Sequence, residues 1–405
     1  MTIGGDVELG FEGVAAVLEE NQSWLGDGGG AFCAYHAGRK VVDLWAGMKH
    51  AGVPWEADTT AVLMSASKGM TSTCALILYD RGRLDLDAPV AEYWPEFSAN
   101  GKDGIRVRDI LSHQSGCTSF PGHAALLQFD GTGWDRGEAI AAALAGARPE
   151  WEPRRAHGYH ALTYGYLVGE IVRRIDGRSL GEFFRAEVAL PLRLDSQIGT
   201  PSEAQGRVAT CLESMVLPLP PETQQVVDAF AAAARDETTI TGRTFVARGN
   251  VSVLDVIHRL ACTPQFLSAE VGSGNATSSA RSLAKMYAAF AAGGELDGVR
   301  VASPGAIEVF QTKQREDFDM VRGGFKAAWA LGFERNYAIA GLPNRLGPNL
   351  ASFGYGGAGG QIGFADPDNR LSIGFVRSHL SNSPGLSTML IEAVYESIGL
   401  KGRRE

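Results

Sequence analysis

Met64-Ser65-Ala66-Ser67-Lys68-Gly69 places a hydroxyl and an amine three residues apart at the head of a run, 65–81, whose apolar spacing predicts a helix ended by Gly82. Residues i and i+3 share a helix face, so the Lys68 amine can reach the Ser65 hydroxyl. A helix N-terminus favours negative charge through its dipole and unpaired N–H groups, which suits an alkoxide and a tetrahedral intermediate. A desolvated lysine at that point loses basicity and can act as the base. A serine cap with a solvated lysine makes the same pattern, so the spacing alone leaves both readings open.

Working outward, residues 7–22 are amphipathic enough for a helix, and 26–30 form a glycine loop without the flanking strand and helix of a phosphate cradle. Two β-rich runs, 31–36 and 39–47, flank Ala37-Gly38 and predict an antiparallel hairpin. Helices are expected over 107–113, 136–146, 162–176, 179–189 and 279–292. The segment 212–250, with Pro218, Pro220 and Pro221, is expected to be irregular, a lid or wall over a pocket. Strand signals return over 327–333, 352–357, 361–366 and 371–377, followed by a last helix over 384–398. Sheet at both ends implies that 1–62 and 279–405 pair into one antiparallel sheet domain, an α/β (α+β) architecture flanked by helices. Residues 63–278 then form an inserted all-helical domain, with the active-site cleft between the two.

Two further stretches carry chemistry. In His157-Gly158-Tyr159-His160-Ala161-Leu162, just before a helix, Tyr159 can share protons with Ser65 and Lys68, because a phenol beside a cation is more acidic. In Phe353-Gly354-Tyr355-Gly356-Gly357-Ala358-Gly359-Gly360 a strand becomes glycine-rich, so a substrate can lie along its backbone and a strand-edge N–H can serve as an oxyanion donor. An ordinary half-buried tyrosine and a β-bulge are the bland alternatives.

Composition narrows the class. The 405 residues carry 37 Lys and Arg against 46 Asp and Glu, a net charge of −9, which makes nucleic acid and anionic membrane poor partners. The densest basic cluster is the terminal Lys401-Gly402-Arg403-Arg404, a solvated tail. The first fifteen residues hold three acids and no basic start, unlike a signal peptide, and no apolar run reaches the roughly 18 residues of a membrane span. Cys33, Cys74, Cys117, Cys211 and Cys262 are scattered and odd in number, which argues for thiols in a reducing cytoplasm and against a disulfide framework or zinc. The eight histidines are scattered too, so no metal and no other cofactor is expected. Gly177-Arg178-Ser179-Leu180-Gly181 matches the α/β-hydrolase pentapeptide, but it joins two helices without a preceding strand, so Ser179 is a helix cap. Glycine, 51 residues, is in excess, which points to tight turns and close backbone approaches.

Order and context lift the ambiguity of the single motifs. Ser-x-x-Lys on the first helix after a hairpin, Tyr159 before a later helix, and a Gly-Gly strand near the C-terminus resemble the serine β-lactamase and penicillin-binding-protein superfamily, most closely the class C-like branch with the family VIII carboxylesterases. Ile105 to Gly116, with its Leu-x-His-x-Ser-Gly turn, Tyr164 to Val172 and Gly360 to Asp368 agree with it. The resemblance spans about residues 15–400 and implies a β-lactamase/transpeptidase-like fold. It implies Ser65 as nucleophile, Lys68 as base partner and Tyr159 as proton shuttle. The backbone N–H groups of Ser65 and Ala358 would form the oxyanion hole, Tyr355, Gly356 and Gly357 would line the substrate, and His113 would be structural. Two departures matter: Tyr-x-Asn reads Tyr159-His160-Ala161, and Lys-Thr-Gly reads Tyr355-Gly356-Gly357. A neutral small-molecule ester is therefore the expected substrate, with weak or no β-lactamase activity. An acyltransferase using the same acyl-enzyme, or a non-catalytic binding protein of the same fold, are the alternatives. Oligomeric state is not legible. Trp134, Phe120 and Trp329 are candidate pocket walls.

Overall fold

The Ala37-Gly38 hairpin forms as a two-residue turn with both residues left-handed, φ +51° and +79°, the twist that fits two antiparallel strands. A computed structural model describes residues 2–215, 218–337, 344–381 and 385–400; Pro384, at the head of the expected last helix, and the basic tail 401–404 lie outside them. Among the described residues ten strands build one antiparallel sheet: β1 (Ile3–Val7), β2 (Gly29–His36), β3 (Arg39–His50), β4 (Val53–Pro54), β5 (Arg315–Phe318), β6 (Lys326–Trp329), β7 (Glu334–Arg335), β8 (Phe353–Gly356), β9 (Ile362–Asp366) and β10 (Leu371–Arg377). Their order is β1-β3-β2-β10-β9-β8-β7-β6-β5, with β4 folded back on β3. The seam between the two ends of the chain is the β2–β10 ladder, from Leu371 opposite His36 to Arg377 opposite Gly30.

Strand alternation sorts the side chains into two cores. Phe32 and Ala34 of β2 join Phe364, Ile373 and Phe375 on one face, under helices α1 (Glu12–Glu20) and, at the other end of the chain, Gly385–Ser397. Cys33 and Tyr35 face the other core, which continues into the helices of the middle of the chain, among them α2 (Ser67–Asp80), α3 (Thr163–Asp176), α4 (Pro221–Arg235) and α5 (Ala280–Ala291). On this second face Gly374 stands opposite Cys33 and Gly363 opposite Gly374. A Cβ on Gly363 would overlap Leu283 and Tyr287, and one on Gly374 would overlap the Ala280 carbonyl, so this bare row lets α5 lie directly on the sheet. Part of the glycine excess has that purpose.

Several expectations are corrected. The segment 7–22 is not one helix: Ile3–Val7 pairs with β3 as an edge strand, and α1 begins only at Glu12. Gly29 and Gly30 belong to β2 rather than to a loop. The run 327–333 splits, because Gly332 turns the chain at φ +83° between β6 and β7. The segment 212–250 is largely regular. Leu212–Met215 pairs in parallel with His379–Ser381, and α4 is a 15-residue helix with Pro220 as its cap and Pro221 as its first residue. Proline suits that position, where its missing N–H has no helical partner to lose. Four cysteines are buried and Cys262 is exposed. Among the described residues no helix is long and apolar enough to cross a membrane.

Candidate active site

Ser65 stands in a 3-10 turn, Met64–Ala66, just before α2 rather than within it. From Ala61 to Leu78 it is the only residue that is not buried. Met64 takes a left-handed φ of +49°, which costs a non-glycine residue about 1–2 kcal/mol. The conformation is held from outside: Ser67 Oγ donates to the Met64 carbonyl at 2.6 Å and accepts from the Ala276 N–H at 3.1 Å. The turn thus presents one hydroxyl to solvent from an otherwise sealed helix.

Helix α2 is buried on all sides, so its composition is small and hydroxylated rather than amphipathic. Its hydroxyls return to backbone carbonyls, Thr71 to Gly272 at 2.6 Å and Ser72 to Gly332 at 2.6 Å. Lys68 emerges from this helix fully buried. Its Nζ lies 2.9 Å from Tyr159 Oη and donates to the carbonyls of Ala161 at 2.7 Å and Ser273 at 2.8 Å. The Ser65 hydroxyl stands beside the Tyr159 phenol and favours its ionised form. The chain of contacts therefore runs Ser65, Tyr159, Lys68, and the phenol stands between the serine and the amine.

Electrostatics follow from burial. Desolvation, reinforced by the nearby Arg322 guanidinium, holds the Lys68 amine well below the usual lysine range. Desolvation pushes the Tyr159 phenol up to about 12, against the pull of Arg322 and of the Ser65 hydroxyl. His113 and His160, both buried, are likewise driven toward the neutral form, His160 to about 4. His113 Nδ1 accepts from the His160 N–H at 3.2 Å, which leaves its Nε2–H to donate to Tyr355 Oη at 3.0 Å. These contacts fit a structural His113.

The glycine strand ends against the Ser65 turn. A Cβ on Gly357 would overlap the Leu63 carbonyl, two residues before Ser65, so only glycine lets the strand come this close. Ala358 follows directly and is exposed. The local turns close through Ala66 N–H to Leu63 O at 3.1 Å and Gly357 N–H to Gln361 O at 2.7 Å, bonds that use neither the Ser65 nor the Ala358 N–H. Replacing Gly357 with alanine is expected to lower kcat about 100-fold by displacing the strand from the nucleophile. Wild-type kcat for the variant, measured by ester hydrolysis, would show that this contact is not needed.

Tyr355 does not line an open substrate surface. It is fully buried, its hydroxyl bonded to His113 and its ring 5.8 Å from Lys68 Nζ. Position 355 lacks a cation, but the neighbourhood does not. The Arg345 guanidinium occupies the space a Cβ on Gly356 would fill and donates to the Gly357 carbonyl at 2.8 Å. The charge argument for a strictly neutral acyl group therefore falls away. Tyr355→Lys is expected to lower stability by about 3 kcal/mol, because it buries an ammonium in a sealed site beside Lys68 and Arg322, and not to retune selectivity. A thermal melt together with a comparison of neutral and anionic esters reads both.

Several residues of the site carry no motif. Asp319 Oδ1 accepts from the N–H groups of Tyr159, Val321 and Arg322 at 2.9–3.0 Å, which binds the 319–322 turn to the tyrosine. Trp329, fully buried, stacks on Tyr159 with centroids 5.8 Å apart and planes at 2°, whereas Trp134 packs against Phe266 and Phe120 against His123. Ala161 and Ser273 act through backbone carbonyls, which no side-chain pattern reveals. The 271–275 backbone reaches Lys68 because Gly165 of α3 is bare: a Cβ there would overlap the Ser273 N–H. Ser179 is the helix cap expected, receiving the Glu182 N–H at 3.2 Å.

Known proteins resemble the chain over most of its length. Residues 19–390 match the model of the family described as Beta-lactamase. The chain is 34% identical over 360 residues to the esterase/beta-lactamase LipL of Mycobacterium tuberculosis, covering 87% of this chain and 77% of that protein. Among solved structures it resembles a penicillin-binding protein homologue from Caulobacter crescentus, with a TM-score of 0.83 and 32% identity over 98% of this chain and all of that one. It is also similar to a family VIII carboxylesterase, with a TM-score of 0.82 and 31% identity over 98% of this chain and 100% of that chain.

Proposed function

The chain belongs to the Beta-lactamase family, and we propose that it is a serine carboxylesterase that works through an acyl-enzyme on Ser65. The observation that carries this reading is the contact chain from Ser65 through Tyr159 to Lys68. As a neutral amine, Lys68 gives its two N–H groups to the Ala161 and Ser273 carbonyls and offers its lone pair to the Tyr159 hydroxyl. The Ser65 proton then passes to Tyr159 Oη while the Tyr159 proton passes to Lys68 Nζ, and the alkoxide attacks the ester carbonyl. The oxyanion lies between the N–H groups of Ser65 and Ala358. Return of the proton releases the alcohol, and water cleaves the acyl-enzyme by the same relay in reverse.

Turnover of β-lactams is expected to be weak, since Ala161 brings a backbone carbonyl rather than an asparagine amide to the site. The names of the LipL relative and the family VIII neighbour support ester cleavage in particular. The test is hydrolysis of p-nitrophenyl esters of increasing acyl length, with mass spectrometry of the protein after a fluorophosphonate. Turnover with a covalent adduct on Ser65 is the expected result; no turnover and no adduct overturns the reading in favour of a binding protein. Product partition with an added alcohol or amine separates hydrolysis from acyl transfer.

A further inference from the structure

Position 355, where the family resemblance would place a lysine, holds a buried tyrosine, yet a cation still faces the relay from another element. The Arg322 guanidinium carbon lies 4.4 Å from the Tyr159 ring centroid and 5.2 Å from that of Trp329. It is held there on two sides. Its Nη2 meets Glu334 Oε1 at 3.0 Å, and its own N–H is tied through Asp319 to the backbone N–H of Tyr159. Glu334 Oε2 in turn accepts from Gly356 N–H at 3.2 Å, so one carboxylate links the arginine to the glycine strand.

We propose that Arg322, set by Glu334, is a positioning residue whose charge fixes the pH range in which the Ser65–Tyr159–Lys68 relay is ready. The inference rests on the esterase reading and adds to it the group that tunes it.

The groups facing the relay are few and their signs are known. Lys68 and Tyr159 are met by Arg322 and Glu334 from the 319–335 hairpin, by Arg345 from the segment before β8, and by Asp319 beneath the Tyr159 backbone. From the helical side come His113 and His160, both driven to the neutral form, and Tyr164, and from β8 comes Tyr355; both phenols are raised by burial. Arg322 is thus the cation stacked on the relay tyrosine, and Glu334 is its ion-pair partner. A fixed positive charge beside Lys68 disfavours its ammonium and keeps the amine free to accept a proton, while the same charge favours the Tyr159 phenolate. Glu334 opposes both effects. Removing the two charges should therefore move the acid limb in opposite directions, which loss of packing alone does not do.

The experiment is the pH profile of kcat/KM for a p-nitrophenyl ester, and in parallel of the rate at which a fluorophosphonate labels Ser65, for the wild type, Arg322→Gln, Arg322→Lys and Glu334→Gln. The labelling rate reads the relay without requiring turnover. The acid limb should rise by about one pH unit in Arg322→Gln, return most of the way in Arg322→Lys, and fall by about half a unit in Glu334→Gln. Arg322→Gln should approach the wild-type rate above its shifted limb. Limbs that stay in place, or that move in the same direction in Arg322→Gln and Glu334→Gln, overturn the proposal and leave the esterase reading intact. Absence of turnover and of labelling at every pH overturns both.

Discussion

Replacing Ser65 with alanine is expected to reduce kcat for ester hydrolysis by at least about 10,000-fold and to abolish labelling by a fluorophosphonate, while the melting temperature stays within about 2 °C of the wild type. The large effect follows because the relay has no second hydroxyl to activate: Ser65 is the one residue between Ala61 and Leu78 that is not buried, and Ser67 is committed to Met64 and Ala276. The small change in stability follows because Oγ fills no cavity in the core. Loss of a covalent step also removes any burst of product, so a pre-steady-state trace with substrate in excess over enzyme should show none. Substantial turnover by the variant, with the adduct on another residue, would refute Ser65 as nucleophile.

The second large effect concerns the two groups behind the serine. Lys68→Ala is expected to lower kcat by about 1,000-fold or more, and Tyr159→Phe by about 100- to 10,000-fold. The double variant should lose little beyond the worse single one, since one proton path is broken either way. The two differ in stability. Lys68→Ala leaves the Ala161 and Ser273 carbonyls without the donor they have now, in a fully buried site, at a cost of about 1–3 kcal/mol each. Tyr159→Phe keeps the ring stacked on Trp329 and removes only the hydroxyl, so its melt should change far less. A Lys68→Ala enzyme of near-normal kcat would sink the assignment of the base. Multiplicative losses in the double variant would show that lysine and tyrosine act in separate steps.

The legible part of the molecule is the part written in periodicity and in glycine. The Ala37-Gly38 turn, the strands near 353–357, 361–366 and 371–377, and the helices near 67–80 and 163–176 follow local rules, and they stand where those rules put them. The edge strand Ile3–Val7 was missed because two of its five residues are glycine, and Arg315–Phe318 because three of its four are charged; each is made a strand by its neighbour's free edge. Helix α4 was missed because prolines that read as breakers stand at its first turn, where they are tolerated.

Within the site the division is sharper. Ser65, Lys68, Tyr159 and the glycines at 356 and 357 could be named as candidates from the chain, because their order and context resemble a known family even though each motif alone is ambiguous. The partners of Lys68 beyond Tyr159 could not, because they are backbone carbonyls from segments 93 and 205 residues away that have no side-chain signature. Nor could the direction of Tyr355, which reads as a strand residue beside the substrate and instead turns inward to His113. The charges that tune the relay, Arg322 and Glu334 and the guanidinium of Arg345 against Gly356, come from the hairpin and loop that the sheet brings alongside. By itself, then, the sequence named the candidate groups, and it did so through the order and context of its motifs and the family they resemble, since local spacing alone left each of them open. The tertiary structure alone decided their protonation, because a pKa depends on burial and on charges from distant parts of the chain, and only folding supplies these.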